Sequence, residues 1–350
     1  MTELGASGGE AEVCFEQRGA LGLITLNRPK ALNALTRPMC REMDTQLAAW
    51  GEDSSIRAVA IRGAGERAFC AGGDVRALYE SGREGSPYAL EFWRDEYRLN
   101  ARIKHFPKPY VALLHGIVMG GGVGVSVHGS HRIVADTAMF AMPETGIGMF
   151  PDVGGSYFLP RCPGETGMYC ALTGARLKMA DMLYVGVATH AVAMSRWDAL
   201  IEGLADGGDP DVVLEDLGSR SGPAPMTEYR AWIDDHFAHR SVETILSSLD
   251  GGGEWAKETA AVIRGKSPTS LKLSHRQLCL GREMTFDDCM RMEYRMVHGI
   301  IAGHDFYEGV RAAIVEKDNR PNWRPADLAG VSDSDIDGYF APRPENELRL

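Results

Sequence analysis

The apolar and polar positions of this chain predict two strands followed by a helix. Residues 13–17 and 20–26 are strand-like runs separated by Arg18-Gly19, and glycine takes the positive φ of a tight hairpin. After residue 35 the apolar residues recur every three or four positions, with Thr36 as a candidate N-cap. We expect one stripe of this helix to face the core: Met39, Met43, Leu47 and Trp50.

A repeated unit organises the next part of the chain. Residues 57–62 and 110–114 are short apolar runs bounded by turn residues, and residues 88–105 between them have a helical pattern. Each run is followed by a glycine-rich turn, at residues 71–74 and 119–122, and then by a predicted helix. Strands that alternate with helices favour an α/β fold.

The second half of the chain is mostly helical. Residues 203–225 are rich in Gly, Asp, Ser and Pro, which predicts a surface connection. We therefore divide the chain into a core that holds the active site, residues 12–200, and a mainly helical C-terminal region, residues 201–350.

Charge and cysteine content restrict the partners and the compartment. The net charge of −11 disfavours a nucleic-acid surface, because polyanion binding depends on clustered Lys and Arg. Seven scattered cysteines without a C-x-x-C pair indicate reduced thiols. Residues 1–12 lack the pattern of a secretory signal or an Arg-rich presequence, and no run has the length of a membrane span. We therefore expect a soluble, cytoplasmic protein.

The two glycine-rich turns indicate oxyanion chemistry. A thioester carbonyl that is attacked or enolised gains negative charge on oxygen, and two backbone N–H groups aimed at that oxygen stabilise it. Gly73 and Gly121 offer one donor from each turn. The competing interpretation is that both turns only pack helices against a sheet. Neither matches a P-loop or a dinucleotide-binding pattern, which argues against nucleotide hydrolysis and NAD chemistry.

Two carboxylates stand eight residues apart in an apolar stretch. Glu144 and Asp152 each follow a proline. A carboxylate near an apolar wall and another acid has a raised pKa, so it can transfer a proton near neutral pH. It can also attack a thioester directly and form an anhydride that water opens. The sequence leaves both routes open, beside a structural reading in which Glu144 caps a turn and Asp152 N-caps a helix.

Several joined motifs resemble the enoyl-CoA hydratase/isomerase (crotonase) superfamily. The first three are NRPKALNAL at residues 27–35, AFCAGGD at 68–74 and HGIVMGGG at 115–122. Within that superfamily the chain is most similar to the 3-hydroxyisobutyryl-CoA hydrolases, which share FWRDEYRLN at 92–100, VSVHG at 125–129 and FAMPETGIGMFPDVGGSYFLP at 140–160. The similarity is strong over residues 12–195 and weak beyond them.

The resemblance implies a fold and a ligand. The implied fold is an α/β spiral of β-β-α units with a helical C-terminal region, and its oxyanion hole is formed by the N–H groups of Gly73 and Gly121. In relatives the C-terminal helices cover the site or pack between subunits, so we expect residues 201–350 to do one of these, with a homotrimer or homohexamer as the expected assembly.

The resemblance also implies how the acyl-CoA substrate is bound. Backbone at Lys30, Ala31 and Leu32 and at Ala71, Gly72 and Asp74 is expected to hold part of the coenzyme A moiety. Glu96 matches a substrate-contacting position of the hydrolases. The alternative for Glu96 is a solvated salt bridge with Arg94, Arg98 or Lys104 on the same helix.

Two departures from the hydratase pattern predict hydrolysis. Hydratases typically carry a second glutamate just after the glycine turn, where this chain has Gly124, and usually a glycine where it has Asp152. The hydrolases have aspartate at this second position. We expect Glu144 to act as nucleophile or base, while Asp152 orients the substrate hydroxyl or the hydrolytic water. The expected substrate is a short branched 3-hydroxyacyl-CoA, most specifically 3-hydroxyisobutyryl-CoA of valine catabolism.

Three alternatives stay open from the sequence: enoyl-CoA hydratase, dienoyl-CoA isomerase, and a non-catalytic acyl-CoA-binding protein. Other chemistries have weaker support. His128 and His131 form an H-x-x-H pair without further ligands, so we interpret them as packing or surface residues and expect no metal. No G-x-S-x-G elbow occurs, and Cys70 is expected to be a buried small residue. No cofactor is expected, since coenzyme A is part of the substrate.

Overall fold

The computed structural model describes residues 11–350. The strands in this range are β1 Val13–Arg18, β2 Leu21–Leu26, β3 Ala58–Gly63, β4 Ala68–Cys70, β5 Tyr110–Leu114, β6 Ile117–Met119, β7 His131–Val134, β8 Met139–Ala141, β9 Leu177–Lys178 and β10 His190–Ala191. The helices of the first two hundred residues are α1 Arg37–Glu52, α2 Val75–Arg83, α3 Tyr88–Lys104, α4 Gly121–Gly124, α5 Gly155–Phe158, α6 Thr166–Thr173 and α7 Met179–Tyr184. Those that follow are α8 Trp197–Ala205, α9 Pro210–Leu217, α10 Met226–Phe237, α11 Val242–Asp250, α12 Glu254–Arg264, α13 Pro268–Gly281, α14 Phe286–Ala302, α15 Asp305–Val310 and α16 Asp333–Phe340.

The strands form two sheets. The larger has the order β1-β2-β3-β5-β7-β10, in which β1 and β2 are an antiparallel hairpin and the later neighbours are parallel. The smaller has the order β4-β6-β8-β9, with only the β8–β9 pair antiparallel. From β3 to β8 consecutive strands alternate between the sheets, with β3, β5 and β7 in the larger and β4, β6 and β8 in the smaller. Each glycine turn therefore follows a strand of the smaller sheet.

The repeating unit differs in one respect from the sequence prediction. We expected each long strand to lead directly into a glycine turn, but β4 lies between β3 and the first turn, and β6 between β5 and the second. β4 and β6 have three residues each, and so short a strand shows no clear alternation of apolar and polar positions in the sequence. This explains why the sequence did not predict them as separate strands. The added strands make the unit β-β-α, as the resemblance implied.

The predicted hairpin and first helix are confirmed. Thr36 caps α1, since its hydroxyl accepts a hydrogen bond from the Met39 N–H at 3.4 Å. The predicted stripe is buried, with Trp50 packed edge-on against Phe15 of β1. Both faces of the larger sheet are covered. Val59 and Ile61 of β3 face the main core, and the residues that alternate with them along β3 face α8. Parallel strands buried on both faces are apolar without interruption, as residues 110–114 are.

The C-terminal region contains one helix that the sequence reading missed. Residues 203–225 were expected to be a connection, yet α9 occupies Pro210–Leu217 within them. Asp209 caps it by accepting from the Asp211 N–H, and Pro210 fills a first-turn position where no N–H is needed. These start signals were present but the glycine and serine content around them concealed the helix. The division into regions 12–200 and 201–350 stays a prediction.

Two further features bear on the sequence predictions. All seven cysteines are free thiols, and Cys70 is fully buried, as expected. Within residues 11–350, none of the helices combines the length and the apolar character needed to cross a bilayer.

Candidate active site

Seven of the predicted site residues meet in one cavity of about 190 Å³ between the two glycine turns, α3 and the C-terminal helices. Its lining includes Ala71, Gly72, Gly73, Glu96, Gly121, Glu144 and Asp152. Apolar side chains from both halves of the chain complete it: Val75, Leu78, Phe92, Trp93, Met149, Phe306 and Ile314. A larger groove of about 650 Å³ runs beside α1, but its lining contains none of the predicted site residues.

The two glycine turns bring their N–H groups together. A Cβ added to Gly121 would stand 3.3 Å from the Gly73 nitrogen and would clash with Glu96 Oε1. Gly72 has φ +118° and Gly120 φ +48°, conformations that L side chains rarely adopt. A Cβ on Gly73 would lie 2.9 Å from Phe92 Cζ. Glycine at these positions lets the two turns approach each other closely, as an oxyanion hole formed by the N–H groups of Gly73 and Gly121 would require.

Glu144 opens a short 3₁₀ helix, Glu144–Ile147, that follows β8. Its side chain is buried, and Oε2 has no hydrogen-bond partner in the described chain. The second glycine turn is adjacent, because a Cβ on Gly120 would lie 3.5 Å from Glu144 Oε1. Burial raises the pKa of Glu144 well above its usual value, and the charge of Asp152 adds to this rise, while Lys266 opposes it. An unpartnered, buried carboxyl is a strong base once it ionises.

Asp152 lies in the turn between this 3₁₀ helix and α5 and does not cap α5. Gly154 occupies the N-cap position of α5. The carboxyl of Asp152 is buried and accepts a hydrogen bond from the Tyr97 hydroxyl at 2.8 Å, with Oδ2 as acceptor. Burial raises the pKa of Asp152 to about 6, and the Tyr97 hydrogen bond limits the rise. The N-cap interpretation is therefore wrong, and the side chain faces the cavity.

Glu96 is a third carboxyl in the same cavity. Its side chain is only 2% exposed, so the alternative of a solvated salt bridge on the helix surface is wrong. Arg94 points elsewhere and donates to the Tyr294 hydroxyl at 3.1 Å. Glu96 Oε1 has no partner within residues 11–350, and burial followed by the charge of Asp152 raises its pKa. Glu96, Glu144 and Asp152 thus bring three buried carboxyl groups into one cavity.

The remaining predicted binding residues are Lys30, Ala31, Leu32 and Asp74. Lys30 and Ala31 are exposed, and Leu32 accepts a hydrogen bond from the Ala71 N–H at 3.0 Å through its carbonyl. Asp74 caps α2 and pairs with Arg28 at 3.1 Å. Residues 30–32 and Asp74 do not line the cavity itself. Their contact with coenzyme A stays a prediction.

The sequence reading missed residues on α3 that accompany Glu96. Trp93, Glu96, Tyr97 and Asn100 recur at helical spacing and are buried together. Trp93 lines the cavity, and Tyr97 binds Asp152. The signal was present in FWRDEYRLN as one helix face that mixes aromatic and polar residues. Phe306 and Ile314 had no such signal, because they reach the cavity from distant helices.

Gly124 lies behind the cavity rather than in its lining. A Cβ there would stand 2.7 Å from Val153 Cβ and 2.8 Å from Asn100 Nδ2. Both neighbours are fully buried. In this packing, position 124 has no room for a second acid, which agrees with the departure from the hydratase pattern.

Comparisons with known proteins define the class. The chain matches the family model for enoyl-CoA hydratase/isomerase over residues 21–340 and belongs to that family. Its curated relatives include the mitochondrial 3-hydroxyisobutyryl-CoA hydrolases of Danio rerio, 47% identical, and Homo sapiens, 44% identical. Each comparison covers 97% of this chain, and 92% and 91% of the respective relative. This supports an acyl-CoA thioester hydrolase.

Solved structures confirm the crotonase-type fold. A structure titled carnitinyl-CoA dehydratase from Mycobacterium thermoresistibile has a TM-score of 0.92 and 43% identity, covering 97% of this chain and 99% of its own. One titled enoyl-CoA hydratase from Rhodobacter sphaeroides 2.4.1 has a TM-score of 0.91 and 37% identity, covering 97% and 100%. The helical C-terminal region is included in both matches.

The predicted cytoplasmic location is wrong. The curated hydrolase relatives are named mitochondrial proteins. The prediction depended on the composition of residues 1–12, which lie largely outside the described residues, and on the reduced cysteines. Free thiols indicate a reducing compartment without distinguishing one such compartment from another.

Proposed function

We propose that this chain hydrolyses 3-hydroxyisobutyryl-CoA to 3-hydroxyisobutyrate and coenzyme A, a step of valine catabolism. The observation that carries the proposal is the shared cavity of Glu144, Asp152 and the two glycine N–H donors. The curated relatives named for this activity support it.

In the proposed mechanism, the thioester oxygen accepts hydrogen bonds from the N–H groups of Gly73 and Gly121. Glu144 either attacks the carbonyl carbon, which gives an anhydride that water opens, or removes a proton from the attacking water. The C–S bond breaks and a C–O bond forms. In the base route Glu144 passes the proton taken from water to the departing thiolate; in the anhydride route the thiolate takes a proton from solvent, and the water that later opens the anhydride releases one. Asp152 binds the 3-hydroxyl or orients the water, and Glu96 contacts the substrate from α3.

The size of the cavity supports a short acyl group. About 190 Å³ bounded by large apolar side chains accommodates few carbon atoms beyond the thioester. Coenzyme A extends outward over the backbone of residues 30–32, 71, 72 and 74. No cofactor is invoked, because the steps need only carboxyl groups, backbone donors and water. Assembly into a trimer or hexamer stays part of the proposal.

The second candidate function is hydration of an enoyl-CoA, or the reverse dehydration of a 3-hydroxyacyl-CoA. The titles of two well-matched solved structures favour it. Against it stands Gly124, which has no side chain where hydratases carry their second glutamate, and its nearest neighbours, Val153 and Asn100, are not acids. Isomerisation of a dienoyl-CoA meets the same objection.

A pair of substrates tests the proposal. Thiol release from 3-hydroxyisobutyryl-CoA is measured beside isobutyryl-CoA, which lacks only the hydroxyl group. We expect release from the first to be at least about tenfold faster, because a buried carboxylate left without its hydroxyl partner costs binding in the transition state. No release from either by folded protein would contradict hydrolysis, and tight binding of both without turnover would favour a non-catalytic acyl-CoA-binding protein.

A further inference from the structure

One peptide unit next to Asp152 is held at both ends by buried side chains. The carbonyl of Val153 accepts a hydrogen bond from His128 Nε2 at 2.7 Å. The N–H of the same peptide unit, on Gly154, donates to Glu293 Oε2 at 2.8 Å. Burial lowers the pKa of His128 to about 3, so the ring is neutral and its Nε2 carries the donated proton.

The held peptide has an unusual conformation. Val153 has φ +51°, which is rare for any residue with a side chain and a genuine outlier for a β-branched one. Such backbone persists only where the surroundings over-determine it, and it concentrates at functional sites. Here the left-handed turn at Val153 and Gly154 directly follows Asp152, so its geometry sets the direction of that carboxyl.

Glu293 makes more than one of these contacts. It lies on α14 in the C-terminal region, is fully buried, and also accepts from the Ser156 N–H at 2.9 Å and from the Ser156 hydroxyl. The carboxyl group of Glu293 therefore accepts hydrogen bonds from the donors that follow Asp152 in the chain. Burying a carboxyl group is costly, and the three donors offset that cost only in part, because burial still raises the pKa of Glu293 to about 8. A buried apolar residue would fill this space without that cost.

Neither Glu293 nor His128 lines the cavity, so neither contacts substrate directly. We propose that Glu293 and His128 are positioning residues that clamp the Val153–Gly154 peptide and so aim Asp152 at the reacting centre. This inference rests on the proposed hydrolysis. It gives the C-terminal region a role in catalysis, and it gives His128 a function that the interpretation as a packing or surface histidine did not contain.

The first test replaces Glu293 by glutamine. Gln has nearly the same shape, but only one of its two terminal groups accepts a hydrogen bond, whereas the Gly154 N–H and the Ser156 N–H both need an acceptor, so the turn after Asp152 loses one of its two backbone contacts. We expect kcat for 3-hydroxyisobutyryl-CoA to fall about 100-fold, the cost of displacing a reacting group by about 1 Å, with KM changed by less than about threefold. Ser156→Ala is the matched control, because it removes only the hydroxyl donor and leaves both backbone N–H bonds to Glu293. It should retain kcat within about threefold.

The second test treats the other end of the peptide. His128→Leu removes the donor to the Val153 carbonyl, whereas the Nε2 of His128→Gln can replace it. We expect the Leu variant to lose kcat and the Gln variant to recover most of it, a rescue that loss of packing alone would not give. If Glu293→Gln does not fold, this pair decides the question.

The outcomes separate the clamp from the proposed function. Thiol release by the wild type tests hydrolysis, and the ratio of variant to wild type tests the clamp. Unchanged kcat in Glu293→Gln, or in His128→Leu, overturns the clamp while leaving hydrolysis intact. Equal losses in His128→Leu and His128→Gln would also overturn it, because the rescue depends on the restored donor.

Discussion

The Tyr97 hydroxyl donates a hydrogen bond to Asp152 Oδ2 at 2.8 Å, inside a cavity that holds two other carboxyls. This bond favours the ionised form of Asp152 over that of Glu96 and Glu144, whose carboxyl oxygens Glu96 Oε1 and Glu144 Oε2 lack partners in residues 11–350. Three acids of the same type thus acquire different proton affinities from their neighbours. Because of this difference, activity and stability should both depend on pH.

Activity should depend on pH with an acid limb above the range of ordinary carboxyl groups. Burial raises the pKa of Asp152 to about 6 and that of Glu144 above its usual value. Both must be ionised for the proposed steps, so kcat/KM should fall as pH decreases, with the midpoint of this limb at pH 6 or above because the group with the higher pKa sets it. A profile measured from pH 4.5 to 9 checks this. A flat profile down to pH 5 would contradict the assigned roles.

Tyr97→Phe should move that limb to higher pH. The variant removes a hydrogen bond to a charged acceptor, worth about 1.5–3 kcal/mol, which corresponds to about one to two pKa units. The ring and its edge-on contact with Tyr294 are kept. Tyr229→Phe, on a distant aromatic cluster, is the matched control and should leave the profile unchanged. An unshifted limb in Tyr97→Phe would show that Asp152 does not govern it.

Glu144→Gln should abolish most of the turnover. Loss of a general base or nucleophile costs about 10²–10⁴-fold in kcat, while binding of coenzyme A through backbone should persist. Steady-state thiol release and calorimetric titration with coenzyme A measure the two quantities. Glu258→Gln, an exposed residue of α12, controls for the change in charge. Comparable kcat in Glu144→Gln and wild type would remove the central residue from the account.

The same variant should be more stable than the wild type at alkaline pH. A carboxyl with a raised folded-state pKa stabilises the fold while protonated, and this contribution is lost as pH rises through that pKa. The Glu144→Gln variant has no carboxyl group that ionises at this position, so it keeps this stability at high pH. Its Tm at pH 8 should therefore exceed that of the wild type by about 2 °C. At pH 5 the difference should shrink towards zero. Equal pH dependence of Tm in both proteins would contradict the burial of a titrating Glu144.

Gly124→Glu should neither restore hydration nor fold as stably as the wild type. Its Cβ would crowd Val153 and Asn100, and such overpacking costs about 1–3 kcal/mol. Thermal unfolding and a crotonyl-CoA hydration assay measure the two effects. Gly222→Ala, where an added Cβ meets no atom within 4 Å, is the control. Hydratase activity gained by Gly124→Glu would mean that position 124 reaches the substrate after all.

Local signals in the sequence predicted several elements of the core fold. The hairpin, α1 with its Thr36 cap, and β5 depended on turn residues and apolar periods that act within a few residues. The meeting of Gly73 with Gly121, and of Glu144 with Asp152, followed from the family resemblance. The spacing of these residues alone did not require it.

Other parts of the site depend on contacts distant in sequence. Glu293 binds the turn after Asp152 from 139 and 137 residues away, and Phe306 reaches the cavity from another helix. Nothing in the local pattern around these residues distinguishes them from ordinary core positions. The proton affinities of the three carboxyls are likewise set by packing, because desolvation is a property of the folded environment.

Parallel assays with two substrates test directly whether the protein hydrolyses an acyl-CoA thioester or hydrates an enoyl-CoA. Thiol release from 3-hydroxyisobutyryl-CoA and hydration of crotonyl-CoA are measured with the same protein preparation at pH 8. If the chain is the hydrolase proposed, thiol release is rapid with little or no hydration, and Glu144→Gln loses that release. Rapid hydration without thiol release would contradict the proposed hydrolysis and assign the cavity to enoyl-CoA chemistry.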